Sequence, residues 1–240
     1  MQVDSSRCAL VIGGSGAVGS AVVAELSRAG VPSVLTYCRS QATAERLAEE
    51  FHCGTQRVDL EETNALVELE KRLEKTDRLP DVVIHCAATS SVLSLADISP
   101  GEWQRVQTVN AYSALAACQR FAPGMRRRGG GDIVFVGALD RTQSLPAPAH
   151  FAASQGMLSA LAMALGKELG NGNIRVNMVA LGPLEQGLSR EIAPELLKDY
   201  TSFSALRRLG TAKEAARAIV WLALENRYIN GKVLPINGGI

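Results

Sequence analysis

The sequence predicts an α/β protein built on a doubly wound parallel sheet of seven strands, and three observations predict it. Short apolar runs alternate with segments of helical period along all 240 residues. The apolar runs are hydrophobic on both faces, which is typical of strands that helices cover on both sides. A glycine-rich turn joins the first strand to the first helix. Because no linker, repeat or low-complexity tract divides the chain, we expect one domain over residues 1–240.

Strands are predicted where a short apolar run stands between turn signals. The runs are Cys8–Ile12, Val34–Tyr37, Thr55–Leu60, Asp81–His85, Asp132–Gly137, Ile174–Val179 and Val233–Ile236. Helices are predicted between them from apolar residues three and four positions apart, as at Val18, Val22 and Leu26. The helical segments are Ala17–Ala29, Ala42–Phe51, Asn64–Glu74, Gly101–Arg127, Ala147–Leu169, Pro194–Tyr200 and Ala212–Glu225. We expect Pro123 to kink the long segment near its end, because proline donates no helical hydrogen bond.

Composition and charge exclude several classes of function. The net charge is +1, so nucleic acid and other polyanions are not predicted partners. The five cysteines form no Cys-x-x-Cys pair and the three histidines are dispersed, so we predict neither a disulfide framework nor a metal site. No apolar run is long enough for a membrane span, and residues 1–7 do not resemble a signal peptide. We therefore expect a cytoplasmic protein with reduced thiols and no membrane contact.

The turn after the first strand carries the strongest functional motif. Gly14, Gly16 and Gly19 have the Gly-x-Gly-x-x-Gly spacing between a predicted strand and a predicted helix, which indicates dinucleotide binding. The glycines permit a tight turn and a close approach of the backbone to a pyrophosphate, which the helix N-terminus favours. The predicted cofactor contacts in this turn are Gly13, Ser15, Gly16, Ala17, Val18 and Gly19. The alternative is a glycine-rich turn that serves packing alone.

The end of the second strand predicts which dinucleotide binds. This is where a carboxylate that holds a ribose 2′-hydroxyl is expected, but residues 36–40 contain none. Arg39 matches a 2′-phosphate in charge and geometry, so we predict NADP(H) rather than NAD(H). The alternative is that Arg39 is a solvated surface arginine. Asp59 is expected either to accept a hydrogen bond from adenine or to cap the next helix. The other predicted cofactor contacts are Tyr37, Ser40, Leu60 and Ala87.

Several ordered motifs match a known family. They are the glycine loop, Asn110 in the long helix, the segment 174–177 (Ile-Arg-Val-Asn), and the C-terminal segments 208–211 and 228–239. In these motifs the chain resembles the short-chain dehydrogenase/reductase family over essentially its whole length, and is closest to 3-oxoacyl-acyl-carrier-protein reductases. Ile12 and Ala17 depart from the family's loop pattern. The resemblance implies a Rossmann fold, a nicotinamide cofactor, a dimer or tetramer, and hydride transfer to a carbonyl.

The catalytic positions implied by the resemblance hold other residues. In the family a tyrosine donates a proton, a lysine four residues later lowers the pKa of that tyrosine, and a serine hydrogen-bonds the substrate oxygen. Here Phe151 stands at the tyrosine, Gln155 at the lysine and Ala138 at the serine. None of the three replacements supplies the proton, the cation or the hydroxyl that the chemistry needs.

The segments near the nicotinamide end also depart from the family pattern. Residues 85–88 read His-Cys-Ala-Ala where the family has Asn-Asn-Ala-Gly, and residues 181–182 read Leu-Gly where it has Pro-Gly. Gln186 stands where the family usually has a threonine that touches the carboxamide. The resemblance therefore implies a retained adenosine half and an altered nicotinamide half.

Three other residues are candidates for different chemistry. His85 ends a strand at the edge where ligands bind in such folds, and the alternative is a core histidine. Asp140 is either a general base or a solvated loop aspartate. His150 is a candidate replacement acid or base because histidine commonly has that role. Adjacent helix positions point about 100° apart, however, so it should not project where Phe151 does. Asn110, without a lysine partner, is expected to have a structural role.

Three functions remain open. The first is a protein deficient in standard carbonyl reduction that serves as a non-catalytic or regulatory subunit, in a homo-oligomer or in a hetero-oligomer with an active homologue. The second is an enzyme of non-redox chemistry, a dehydratase, isomerase or cyclase, on an acyl or polyketide substrate. The third is a residual NADPH-dependent ketoreductase in which water or the substrate supplies the proton.

Overall fold

One parallel sheet forms the centre of the computed structural model, which describes residues 7–138 and 146–240. Its strands are β1 (Ala9–Ile12), β2 (Ser33–Tyr37), β3 (Gly54–Arg57), β4 (Val82–His85), β5 (Gly131–Ala138), β6 (Ile174–Leu181) and β7 (Val233–Ile236). They lie in the order β3-β2-β1-β4-β5-β6-β7, and every neighbouring pair is parallel. The sheet therefore grows outward in both directions from β1 and β4, which confirms the predicted doubly wound Rossmann fold.

Helices cover both faces of the sheet. They are α1 (Ala17–Arg28), α2 (Gln41–Phe51), α3 (Ala65–Lys75), α4 (Pro100–Gln107), α5 (Ser113–Arg127), α6 (Ala149–Leu169), α7 (Pro194–Phe203) and α8 (Ala212–Leu224). Ala9 and Val11 of β1 lie in the core formed with α1, α2 and α8, whereas Leu10 and Ile12 lie in the core formed with α3, α5 and α6. One strand thus supplies both cores, which explains why its sequence is apolar at every position.

The predicted long helix is interrupted at its middle. α4 and α5 are joined by one π-helical turn, Thr108–Tyr112, in which Asn110 and Ala111 are buried. Such turns insert one extra residue into the helix and are frequent at functional sites. Pro123 lies inside α5, four residues before the last residue of that helix.

Several other element boundaries differ from the predicted ones by one to three residues. β3 ends at Arg57 rather than Leu60, so Asp59 lies beyond the strand, where its Oδ1 accepts a hydrogen bond from the Glu61 amide at 3.1 Å and turns the chain. β6 continues to Leu181 rather than Val179, because all eight of its residues pair with β5. α6 begins two residues later than predicted, immediately after Pro148.

A buried ion cluster fixes the N-terminal edge of the sheet. Asp132, at the start of β5, is 1% exposed. It accepts hydrogen bonds from Arg7 Nη2 at 2.6 Å and from Arg175 Nε and Nη2 at 2.7 and 2.9 Å. The two-pronged contact from Arg175 is the strong geometry for an arginine and a carboxylate.

Replacing Asp132 is expected to destabilise the protein. Asp132→Asn leaves two partly buried guanidinium groups without a counter-charge, which typically costs about 3–5 kcal/mol for a buried pair. Urea unfolding of the variant and the parent measures this loss. The matched control is Glu50→Gln, which breaks the exposed Arg46–Glu50 pair and should change stability by at most about 0.5 kcal/mol. Equal stabilities of the two variants would contradict this assignment.

Candidate functional site

The glycine loop lies at the carboxyl edge of the sheet, between β1 and α1. Gly13 adopts φ +79°, and a Cβ there would stand 2.7 Å from the Ala87 backbone in the loop after β4. A Cβ at Gly19 would stand 2.3 Å from the carbonyl oxygen of Gly13. Both positions therefore require glycine, since one needs the left-handed conformation and both leave no space for a side chain.

The N-terminus of α1 is open to a ligand. Gly16 is its N-cap residue, with φ −74° and ψ 170°, and no side chain caps the first turn. The amide groups of that turn therefore point outward from the helix end without an internal acceptor. This is the arrangement that binds phosphate groups in other proteins.

A cavity of about 270 Å³ lies beside this loop. It is lined by residues predicted to contact the adenosine half of a cofactor: Gly13, Ser15, Gly16, Tyr37, Arg39, Ser40, Asp59, Leu60 and Ala87. The remaining predicted contacts, Ala17, Val18 and Gly19, line the adjacent larger cleft. The fold thus brings all the predicted cofactor residues to two adjoining cavities.

Arg39 is the free cation of this cavity. It is exposed and forms no ion pair with any residue in the described part of the chain. The Asp59 carboxylate lies on the same wall, close to the Cys38 thiol, and together with burial it raises the pKa of that thiol. The cavity therefore holds an unpaired guanidinium at the end of β2, where the sequence predicts a 2′-phosphate partner.

Sequence reasoning missed Arg105, which lines the same cavity. Its Nε and Nη2 donate to Glu102 at 2.8 and 2.7 Å, and its Nη1 donates to Thr89 Oγ1 at 2.8 Å. The Arg105 hydrogen bonds are the largest cause that lowers the pKa of Glu102, to about 2, followed by the hydrogen bond from Ser91. Arg105 and Val109 are four residues apart on consecutive helical turns, a spacing that could have revealed their shared face.

The larger cleft, of about 660 Å³, lies beside the glycine loop. It is enclosed by the glycine loop, the end of β5, the start of α6 and the segment between β6 and α7. Ala138, Phe151 and Gln155 all line it. The three substituted catalytic positions therefore converge, as the family resemblance implies.

Gln155 lines the cleft, but its amide group is bonded to neighbouring protein atoms. It is 2% exposed, and its Oε1 accepts from the Ala138 amide at 2.8 Å. Its Nε2 donates to Ser154 Oγ at 3.1 Å, and Ser154 Oγ donates to the Phe151 carbonyl at 2.6 Å. The side chain thus ties α6 to the end of β5.

Asn110 links three segments around the site. Its Oδ1 accepts from the Thr89 amide at 2.7 Å, and its Nδ2 donates to the Thr89 carbonyl at 2.9 Å and to Ser154 Oγ at 3.0 Å. The π-helical turn therefore holds the loop after β4 against α6. No charged group takes part in these contacts.

His85 lies in the core and lines neither cavity. Its Nε2 is 2.7 Å from Ser113 Oγ, which donates its own proton to the Val109 carbonyl at 2.7 Å, so His85 Nε2 is the donor. Burial lowers the pKa of His85 to about 4. A neutral imidazole packed edge-on against Phe135 results.

His150 is fully buried and lies outside the cleft. Its Nε2 is 2.9 Å from Ser91 Oγ, which donates to Glu102 Oε1 at 2.6 Å. It therefore points away from the face that Phe151 presents, as helical geometry predicts. Asp140 lies outside the described residues.

Searches of the described residues add two negative findings. No group of three or more His, Cys, Asp or Glu side chains within them is arranged to hold a metal ion. Within the same residues, no helix combines the length and the apolar character that a membrane crossing requires.

Comparisons with known proteins give consistent matches. Residues 14–240 match a family model described as Enoyl-(Acyl carrier protein) reductase. The 3-oxoacyl-[acyl-carrier-protein] reductase MabA of Mycobacterium tuberculosis is 25% identical over 98% of this chain and 93% of its own. The corresponding reductase FabG of Pseudomonas aeruginosa is 26% identical, over 98% and 97%.

Among solved structures, Pseudomonas aeruginosa RhlG, titled as an NADP active-site complex, superposes with a TM-score of 0.87. It is 25% identical to this chain and the match covers 98% of this chain and 96% of RhlG. The family match spans far more than half of the sequence, and the strand order and glycine loop agree with it. The chain therefore belongs to the short-chain dehydrogenase/reductase family and resembles its 3-oxoacyl-acyl-carrier-protein and acetoacetyl-CoA reductases.

Proposed function

We propose that this protein binds NADP(H) but does not carry out standard carbonyl reduction, and that it acts as a non-catalytic or regulatory subunit. One observation carries the proposal. The residues suited to the adenosine and phosphate groups line two adjoining cavities, whereas the family's catalytic positions are occupied by Ala138, Phe151 and Gln155. The family's proton donor, its cation and its hydroxyl are all missing from those positions.

The residues present fit the cofactor. The open amide groups at the N-terminus of α1 would hold the pyrophosphate. Gly13 packs closely against the backbone of Ala87, which leaves space for the pyrophosphate above the loop. The exposed Arg39 would pair with a 2′-phosphate, and Asp59 would accept from the adenine amino group. The cofactor, when bound, supplies a hydride.

The relatives support this choice of cofactor. RhlG of Pseudomonas aeruginosa is titled as an NADP complex, and a chloroplast relative from Arabidopsis thaliana is named an NADPH-dependent aldehyde reductase-like protein. The latter is 25% identical over 98% of this chain. No acid at the end of β2 opposes a 2′-phosphate in this chain, since residues 36–40 carry only Arg39 as a charged group.

The subunit role is supported by exposed apolar residues on the helices. Trp103 on α4 is 43% exposed, and Tyr112 in the π-helical turn is 58% exposed. Such residues are enriched where proteins pair. We propose that the chain assembles as a dimer or tetramer, with itself or with an active homologue, in the cytoplasm. Light scattering of the purified protein, alone and mixed with an intact homologue, measures this assembly.

A second candidate is a non-redox enzyme, such as a dehydratase, isomerase or cyclase, on an acyl or polyketide substrate. The size of the retained cleft, about 660 Å³, favours it, because that volume accommodates a small molecule. The described residues place neither His85 nor His150 on its wall. Glu191, which lines the cleft, and Asp140, which lies outside the described residues, are the residues to substitute when that chemistry is tested.

Titration with NADPH tests the proposed cofactor. We expect micromolar binding, followed by nicotinamide fluorescence and calorimetry, with about tenfold weaker binding in Arg39→Ala because one charge-assisted contact is lost. NADH binding should not change. The matched control is Arg46→Ala, which removes an exposed arginine outside both cavities. Absence of NADPH binding by the parent would refute the cofactor proposal.

A further inference from the structure

We propose that the 660 Å³ cleft selects an uncharged small molecule that places a hydrocarbon segment, rather than a carbonyl, against Ala138 and Phe151. The inference rests on the proposed function, because it concerns a ligand that the protein binds in this cleft without reducing it. It assigns the protein a binding preference opposite to that of a carbonyl-reducing site.

The wall of the cleft at the former catalytic positions is hydrocarbon, whereas a ligand carbonyl would need hydrogen-bond donors there. Phe151 presents a ring without a hydroxyl, and Ala138 presents a methyl group. Val136 and Leu181 continue the same wall on neighbouring strands. An alkyl or aryl group placed there exchanges water for apolar contact, which is the favourable direction of transfer.

Several polar groups near Ala138 and at the C-terminal side of the cleft already have partners within the protein. Gln155 Oε1 receives the Ala138 amide, so this backbone donor does not face the cleft unpaired. Tyr200 donates to the Asn237 carbonyl at 2.5 Å, and Asn237 Nδ2 donates to the Ile240 carbonyl at 2.8 Å. A ligand carbonyl buried against these groups would lose its bonds to water without replacing them, and that loss lowers its affinity.

The charged groups of the cleft further restrict the class of ligand that it can bind. Among its described lining residues, Glu191 is the only side chain charged at neutral pH, and it lies exposed on the α7 side. Burial raises the pKa of Cys86 to about 12, so that thiol is neutral. Away from the N-terminus of α1, the described lining offers no cation to pair with an anionic ligand, and the Glu191 carboxylate repels one. Val92 and Leu188, which are 71% and 37% exposed, extend the apolar surface to the rim.

A matched pair of ligands tests the preference. Decanoyl and 3-oxodecanoyl thioesters of N-acetylcysteamine differ by one oxo group, which replaces two hydrogens at C3, and calorimetry measures the affinity of each for the protein with and without saturating NADPH. We expect the saturated thioester to bind about tenfold more tightly. In the double variant Ala138→Ser/Phe151→Tyr the ratio should fall to one or reverse, because two hydroxyl donors then face the oxo group. The change in ratio separates site chemistry from the general hydrophobicity of the probe.

Two single variants locate the binding. Leu196→Arg places a cation in the cleft and should reduce the affinity for the saturated thioester at least tenfold. Leu95→Arg alters an exposed leucine that does not line the cleft and should leave the affinity unchanged. Equal or tighter binding of the 3-oxo thioester by the parent overturns the inference, as does full binding by Leu196→Arg. Reduction of the 3-oxo thioester by NADPH would instead refute the proposed function. It is measured as NADPH oxidation, independently of the calorimetric affinities.

Discussion

Ala138→Ser, Phe151→Tyr and Gln155→Lys together are expected to create NADPH-dependent reduction of a 3-oxoacyl thioester, which we propose that the parent protein does not carry out. The three positions already line one cleft, so the substituted side chains would meet there. A positioned general acid contributes about 10²–10⁴-fold to such reactions. We therefore expect the triple variant to exceed the parent by at least about 10²-fold.

The rate of NADPH oxidation at 340 nm measures this gain. The double variant Ala138→Ser/Phe151→Tyr is the control, because it supplies the hydroxyl groups but no cation to lower the tyrosine pKa from its ordinary value of about 10. It should show little of the gain. A parent that reduces the thioester as fast as the triple variant would identify a residual ketoreductase, with water or the substrate supplying the proton.

The residues expected near the nicotinamide could still prevent turnover by the triple variant. If the triple variant binds NADPH with the parent's affinity and still does not turn over, the defect lies where the chain also departs from its family. Cys86, Leu181 and Gln186 line that part of the cleft. Restoring Gln186→Thr in the triple variant would then be the next substitution, since a shorter hydroxyl side chain leaves more room for the carboxamide.

The sequence predicts the fold and the cofactor cavities because local signals determine both. Gly14, Gly16 and Gly19 indicate a phosphate loop only because they lie between a strand and a helix. The parallel order of β1 and β4 then places Ala87 against that loop. All the predicted cofactor residues consequently reach the two cavities. Whether they bind a cofactor is a separate question that titration answers.

The sequence does not predict which partner a buried polar side chain selects. Gln155 is expected from its family position to face the cleft, yet it binds Ala138 and Ser154, which lie across the β5–α6 junction. Arg105 lines the cofactor cavity while its guanidinium group is paired with Glu102 and Thr89. Such choices depend on tertiary packing and on satisfying buried polar atoms, which no local pattern encodes.

Gly13→Ala is expected to weaken NADPH binding by about a hundredfold, and it is the strongest single-residue test of the loop. The residue adopts φ +79°, and an added Cβ would stand 2.7 Å from the backbone of Ala87. The left-handed conformation alone costs an alanine about 1–2 kcal/mol. Because the added Cβ would meet backbone rather than a flexible side chain, the glycine loop must move. A displacement of the pyrophosphate contacts by even about 1 Å is expected to reduce NADPH affinity strongly.

A second glycine provides the matched control. Gly156 lies on the exposed side of α6, and a Cβ there would meet no atom within 4 Å. Gly156→Ala should therefore leave NADPH affinity unchanged and raise the free energy of unfolding by up to about 1 kcal/mol, because alanine favours the helix. Gly13→Ala should lower that free energy by about 2 kcal/mol or more. If Gly13→Ala kept full affinity for NADPH while losing stability, the glycine loop would serve packing alone, and the cofactor proposal would fail with it.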